Sequence, residues 1–233
     1  MQRKTKIICI LLVLSIITCL CNTAWAESNA SYDGRYYQDT DLGETLEILN
    51  EDQKIMGDQV YVERVFRVVD SEEKPDTNER IERYFYTLND ISKELDSGTG
   101  NTRSTGSETV SLLSYSITLY TSYSYTIVPG TYATYYRLNS LYYSILNMES
   151  NITLLNAYIE IANNGIGEDI LPKNQQNFSN RGSATSGTIY GNSSWTPAYS
   201  LDSYSYLTAT RFYVQLDVQR GTGYYSPSWK RAF

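Results

Sequence analysis

Between Leu113 and Ile127 the odd positions read Leu, Tyr, Ile, Leu, Thr, Tyr, Tyr, Ile, and the even positions from 114 to 126 read Ser, Ser, Thr, Tyr, Ser, Ser, Thr. Period-two alternation of this kind predicts a strand with one buried and one polar face. Val128-Pro129-Gly130-Thr131 follows, and Pro-Gly is suited to the centre of a type II turn. Tyr132 to Leu146 then predicts a returning strand that carries large residues on both faces. Ile152 to Ile161 predicts a third, with its exit marked by Asn163-Asn164-Gly165. Short strands are expected near Thr188–Tyr190 and from Ser203 to Leu207. From Thr208 to Val218 the pattern is clean again, with Thr210, Phe212, Val214, Leu216 and Val218 on one face.

Upstream the signal is more mixed. Gly43 to Met56 predicts a short helix with Leu46 and Leu49 on one side. Val60 to Val69 and Arg80 to Leu88 are β-branched and aromatic, hence strands. A charged turn around Asp70–Asp76 separates them, so they are expected to form a hairpin. A lone hairpin is marginal in water and must pack on something else. The fold expected is therefore all-β: an antiparallel β-sandwich or open barrel with a small acidic N-terminal hairpin and helix element.

The first 26 residues stand apart. Arg3, Lys4 and Lys6 precede a 15-residue apolar run from Ile7 to Cys21, and Ala24-Trp25-Ala26 supplies small residues at Ala24 and Ala26 for cleavage after Ala26. That is the layout of a secretory signal peptide, and the run is short of the ~20 apolar residues a bilayer span needs. The expected organisation is a signal peptide at 1–26, an acidic element at 27–95, and a Gly/Ser/Thr linker at 96–107. A Tyr-rich β domain at 108–223 and an aromatic, basic tail at 224–233, read as a frayed terminus, complete it.

Charge divides along the same line. Residues 27–100 carry 19 acids and 8 bases, whereas residues 101–233 carry 7 acids and 8 bases. Six of the 23 tyrosines precede the divide and 17 follow it. Without the leader the chain has a net charge of −10, which disfavours nucleic acid, since phosphate binding needs clustered cations. All three cysteines (Cys9, Cys19, Cys21) lie in the leader, so the exported product has no disulfide, thiolate nucleophile or cysteine metal site. An export signal ahead of a cysteine-free product points to a secreted protein of a Gram-positive bacterium. Leu171-Pro172-Lys173-Asn174-Gln175 lacks the Thr-Gly of a wall-sorting motif, so release without covalent wall anchoring is expected.

No histidine occurs anywhere, which removes Ser-His-Asp, Cys-His and H-E-x-x-H sites. Ser71-Glu72-Glu73-Lys74 matches S-x-x-K but lacks the S-D-N and K-T-G partners of that chemistry. Asp39-Thr40-Asp41-Leu42-Gly43-Glu44 has neither the spacing nor the twelfth-position glutamate of a calcium loop. Around Gly165 and Gly167, Asn163, Asn164, Glu168 and Asp169 read as a surface loop. Glu149, Glu160, Glu168, Asp169, Asp202 and Asp217 are available to a two-carboxylate mechanism but read as solvent-facing acids. The expectation is a non-enzymatic protein with no cofactor and no metal site.

Two functional expectations remain. Tyr132, Tyr135, Tyr136, Tyr142 and Tyr143 are candidates for an exposed aromatic surface that binds a cell-surface glycan or protein, because rigid rings give contact area at low entropic cost. The alternative is a bacteriocin-like or pore-forming toxin that inserts the 113–146 hairpin into a membrane, with Leu113, Tyr115, Ile117, Leu119, Tyr123, Tyr125 and Ile127 facing lipid.

Overall fold

A computed structural model describes residues 36–56, 59–69, 72–74, 78–90, 108–200 and 209–233. The expected signal peptide with its cleavage point at Ala24 and Ala26, the 96–107 linker, Ser71 and the 203–207 strand lie outside them. The strands in chain order are β1 (Tyr36–Asp39), β2 (Thr45–Met56), β3 (Gln59–Val68), β4 (Glu72–Lys74), β5 (Glu79–Asp90) and β6 (Glu108–Val110). After a 3₁₀ turn at Leu112–Ser114 come β7 (Ile117–Pro129), β8 (Thr134–Met148), β9 (Ile152–Asn163), β10 (Gly165–Ile166) and β11 (Pro172–Lys173). The remainder are β12 (Gln176–Asn180), β13 (Ser186–Tyr190), β14 (Thr210–Arg220), β15 (Gly223–Tyr225) and β16 (Ser228–Ala232).

Two largely antiparallel sheets face each other. The first runs β13-β8-β7-β5-β3-β2-β1-β6 with β4 beside β5, and the second runs β12-β9-β14-β15 with β16 also on β14. Only β1 and β6 pair in parallel among the strands placed. The architecture is a β-sandwich, and no α-helix occurs among the described residues.

Its interior follows the alternation. Ile117, Leu119, Tyr123 and Tyr125 from β7 meet Phe212, Val214, Leu216 and Val218 from β14 and Ile159 and Ile161 from β9 in one buried cluster. Tyr123 stacks on Phe212 with centroids 4.8 Å apart, and Tyr86 lies 5.0 Å from Trp229. Tyrosine is tolerated inside because its hydroxyls find partners. Tyr86 and Tyr123 share a hydrogen bond of 2.7 Å, and Tyr143 donates to the Ala184 carbonyl at 2.8 Å. Burial pushes the Tyr123 phenol up to about 12 and raises that of Tyr86 well above its ordinary value.

Four expectations need correction. Residues 45–56 form strand β2, not a helix. The pairing slips between Ile48 and Asn50, leaving Leu49 as an exposed bulge, so it is Leu46 and Ile48, two apart, that enter the interior. Leu113 and Tyr115 belong to the 3₁₀ turn and its exit, because β7 begins only at Ile117. Pro129 is still paired, with Thr134, and the reversal is closed by a Gly130 N–H to Ala133 carbonyl bond of 3.0 Å, without the positive φ a type II turn requires. The C-terminal residues are not frayed: β16 pairs with β14, Trp229 is buried, and the Phe233 ring lies 4.5 Å from that of Tyr125.

The acidic and Tyr-rich stretches share one sheet, because β5 pairs with β7 from Glu79↔Thr126 to Leu88↔Ile117. Charge crosses between the sheets as well. Arg220 of β14 donates to Asp90 of β5 at 2.6 Å and to Glu149 at 3.1 Å. Arg231 of β16 donates to Glu82 of β5 at 2.9 and 3.3 Å, and the hydroxyls of Tyr84 and Tyr125 donate to the same carboxylate at 2.7 and 2.8 Å. The C-terminal arginines thus neutralise part of the acidic excess upstream.

Burial alone would raise the Glu82 pKa, but the hydrogen bonds and charge of Arg231, with the two tyrosine hydroxyls, outweigh it and hold the carboxyl below its ordinary range. A depressed carboxyl stabilises the fold above its unfolded pKa of about 4.3, and that contribution disappears as pH falls through the lower folded value. Glu82→Gln should therefore be less stable than the native chain at neutral pH, and the gap should close in strong acid. Denaturant midpoints measured across that range check this. A gap that stays constant from neutral to strongly acid pH would show that the carboxylate charge is not responsible.

Candidate binding face

The tyrosines of β8 divide between two environments. Tyr135 and Tyr143 are 2% and 0% exposed and belong to the interior, so they offer no binding surface. Tyr136 is half-buried against Phe233 at 4.8 Å and Tyr125 at 6.0 Å. Tyr132, 76% exposed in the β7–β8 turn, and Tyr142, on the opposite side of the sheet from Tyr143, reach solvent. The five do not form one patch, since alternation sends neighbours to opposite faces. Of the stripe proposed for membrane insertion, Ile117, Leu119, Tyr123 and Tyr125 are buried, Ile127 packs at their edge, Tyr115 is buried beneath Arg64, and only Leu113 is exposed.

The outward side of the second sheet carries a further set of rings, of which Phe178 is exposed. Along β14 the even residues from 212 to 218 enter the core, so Arg211, Tyr213, Gln215 and Asp217 point the other way. The register sets them in rows across the strands. Phe178 of β12 opposes Glu160 of β9, which opposes Tyr213 of β14, which opposes Lys230 of β16. In the adjoining row, Asn180, Tyr158, Gln215 and Ser228 are opposed in the same way, and Asn156 opposes Asp217 beyond.

Phe178 is 62% exposed, and Tyr158 and Tyr213 are half-buried. The Phe178 and Tyr158 rings are 19° from parallel with centroids 6.2 Å apart. Tyr158 and Tyr213 meet edge to face at 6.0 Å.

Hydrogen bonds fix the polar groups between the rings. Tyr213 donates to Gln215 Oε1 at 2.7 Å, and Gln215 Nε2 donates to Asp217 at 2.8 Å. The hydrogen bond from Gln215, with others from Ser226 and Asn156, holds the Asp217 carboxyl below its ordinary range. Beneath the rings Glu160 is paired with Arg211 at 2.5 Å, both essentially inaccessible, and Tyr158 donates to Glu160 at 3.4 Å. Glu160 is therefore a buried ion-pair member and not the solvent-facing acid expected from the sequence.

The remaining oxygen-rich candidates are occupied by structural bonds. Asp39 accepts from the backbone of Leu42 and Leu112, and Asp41 from Leu113 and the Ser111 hydroxyl, so the acidic turn anchors the 3₁₀ turn. Asn163 bonds Leu138 and Thr196, Asn164 bonds Gln175, and Asp169 pairs with Lys173. Gly165 is required at its bend, because its φ is +123° and a Cβ there would lie 1.9 Å from the Tyr199 carbonyl oxygen. Among the described residues no group of three or more Asp, Glu, Cys or His side chains is arranged to hold a metal ion.

Tyr158, Phe178 and Tyr213 were not singled out by sequence. The available signal was the off-face set of the alternation in 152–161 and 208–218, where rings and amides occupy positions usually given to charged solubilising residues. Comparison with known protein families, with curated proteins and with solved structures finds no match to this chain.

Proposed function

We propose that the protein is a secreted, non-enzymatic bacterial binding module that captures an extracellular ligand on the outer face of its second sheet. The observation that carries this is the row Phe178–Glu160–Tyr213–Lys230, which presents rings on the side of a sheet whose other side is already committed to the core. Rings fixed on strands lose little freedom on binding, and aromatic residues recur as hot spots. The paired amides and hydroxyls between them supply directional contacts.

Phe178→Ala and Tyr213→Ala should each weaken binding of the labelled protein to intact bacterial cells by about tenfold or more, while the circular dichroism spectrum stays native. Native-like binding by both variants would remove this face from the reading.

Insertion of the 113–146 hairpin is the competing reading, favoured by the 13- and 15-residue lengths of β7 and β8, which exceed the ~9–11 residues a bilayer-crossing strand needs. It requires the two sheets to part, since the apolar stripe of β7 forms the centre of the core. Dye release from vesicles by the folded protein would favour it.

A further inference from the structure

We infer that two copies of the chain pair through the open edge of the second sheet, strand β12 against strand β12, antiparallel about a two-fold axis at Phe178. β12 ends that sheet on one side, and among the described residues its one strand neighbour is β9. The Asn163 N–H donates to the Gln175 carbonyl and the Arg181 N–H to the Ala157 carbonyl, so the odd residues of this segment turn their backbone toward β9. The backbone groups of Gln176, Phe178 and Asn180 therefore point away from the sheet, and all three residues are exposed. Such a row of outward N–H and C=O groups is a template for another strand, and proteins blunt it with charge, proline, bulges or covering groups. Here Asn174 to Asn180 reads NQQNFSN, with no charge and no proline, and β12 pairs with β9 without a bulge. The pairing does not depend on the binding role proposed above.

The other edges of the two sheets are blunted. On β13 the carbonyl of Thr188 accepts from the Arg181 guanidinium and that of Tyr190 from Asn177 Nδ2 at 3.0 Å, so side chains cover that edge. Across the second sheet the edge is broken between β15 and β16 at Ser226-Pro227, and β16 carries Lys230. β4 and β6 are three residues each. A second copy is the occupant that β12 matches by its own sequence. About the two-fold, Phe178 of one copy opposes Phe178 of the other and Gln176 opposes Asn180. Each opposed pair then exchanges two backbone hydrogen bonds, while ring meets ring and amide meets amide. No like charges meet along the edge, and residues 101–233, which supply the whole second sheet, carry 7 acids against 8 bases. With one open edge per copy the contact is isologous and closes at two. A strand pair this short is smaller than a standard interface, which points to a dissociation constant on the order of 100 μM.

The test is sedimentation equilibrium of the purified protein from about 5 μM to about 1 mM, with amide hydrogen exchange at both ends of that range. A monomer–dimer equilibrium is expected, with exchange at Gln176, Phe178 and Asn180 slowing about fivefold or more as the dimer fills. Phe178→Lys and Phe178→Glu each set like charges against one another at the axis and should weaken the dimer about tenfold or more, with circular dichroism unchanged. An equal mixture of the two variants should recover it, because the introduced lysine then opposes the introduced glutamate. Monomers throughout the range overturn the proposal: slow exchange at the three amides even when dilute assigns the edge to a segment of the same chain, and fast exchange throughout leaves it to a different partner. A dimer that neither charge disturbs, or that mixing does not restore, places the contact elsewhere on the molecule. Growth beyond two copies replaces the closed pair with an open filament.

Discussion

Arg211→Met is expected to cost about 3–5 kcal/mol of folding stability, because it removes the guanidinium that compensates the buried Glu160 carboxylate. Both side chains are at most 3% exposed, and the charge-assisted bond between them is short at 2.5 Å. The pair sits on the side of β9 and β14 turned away from the core, and Tyr158 donates to the same carboxylate at 3.4 Å. Replacing both members, Arg211→Met with Glu160→Leu, removes the charges together and should recover most of the loss, as buried pairs exchanged for apolar residues often do. Chemical denaturation of the two single variants and the double variant checks this cycle. A double variant as unstable as Arg211→Met alone would show that the loss arises from other contacts of the arginine. The double variant also separates stability from binding, for it keeps Phe178, Tyr158 and Tyr213 while removing the floor beneath them.

Trp229→Ala should cost a similar amount, about 3–5 kcal/mol, the range for deleting a buried large aromatic side chain. Trp229 is almost fully buried, stacks 5.0 Å from Tyr86, and lies on β16, whose Arg231 holds Glu82. Among the described residues the indole N–H has no hydrogen-bond partner, so Trp229→Phe should lose far less. Thermal and denaturant unfolding of the two variants distinguish the outcomes. If alanine at 229 costs no more than an ordinary surface change, the C-terminal strand is not part of the cooperative unit.

The contrast between these residues and the sequence pattern shows what periodicity carries. In 117–127 and 210–218 the alternation identified the strands and the face each buries, because one side of a two-layer fold must be continuously apolar. It misassigned 45–56, where the alternation of buried Leu46 and Ile48 is interrupted by the exposed bulge at Leu49. It also placed the candidate surface on Tyr135 and Tyr143. Tyrosine carries both an apolar ring and a hydroxyl, so the letter alone does not reveal whether the ring is buried beside a carbonyl, as at Tyr143 and Ala184, or turned to solvent. The row Phe178–Glu160–Tyr213–Lys230 joins four strands distant in sequence, and only their register brings it into being. The same holds for Arg231 and Glu82, 149 residues apart, which were visible upstream only as unbalanced acid and downstream only as a basic tail.

The placement of β16 also bears on when the fold can exist. Phe233 is wedged among Tyr125, Tyr136 and Phe212, and the strand before it supplies Trp229 to the core and Arg231 to the acid on β5. A chain that lacks these residues has an open interior and leaves Glu82 without its arginine. Removing β16 is therefore expected to destabilise both sheets together, because this one strand fills the core and bridges to β5.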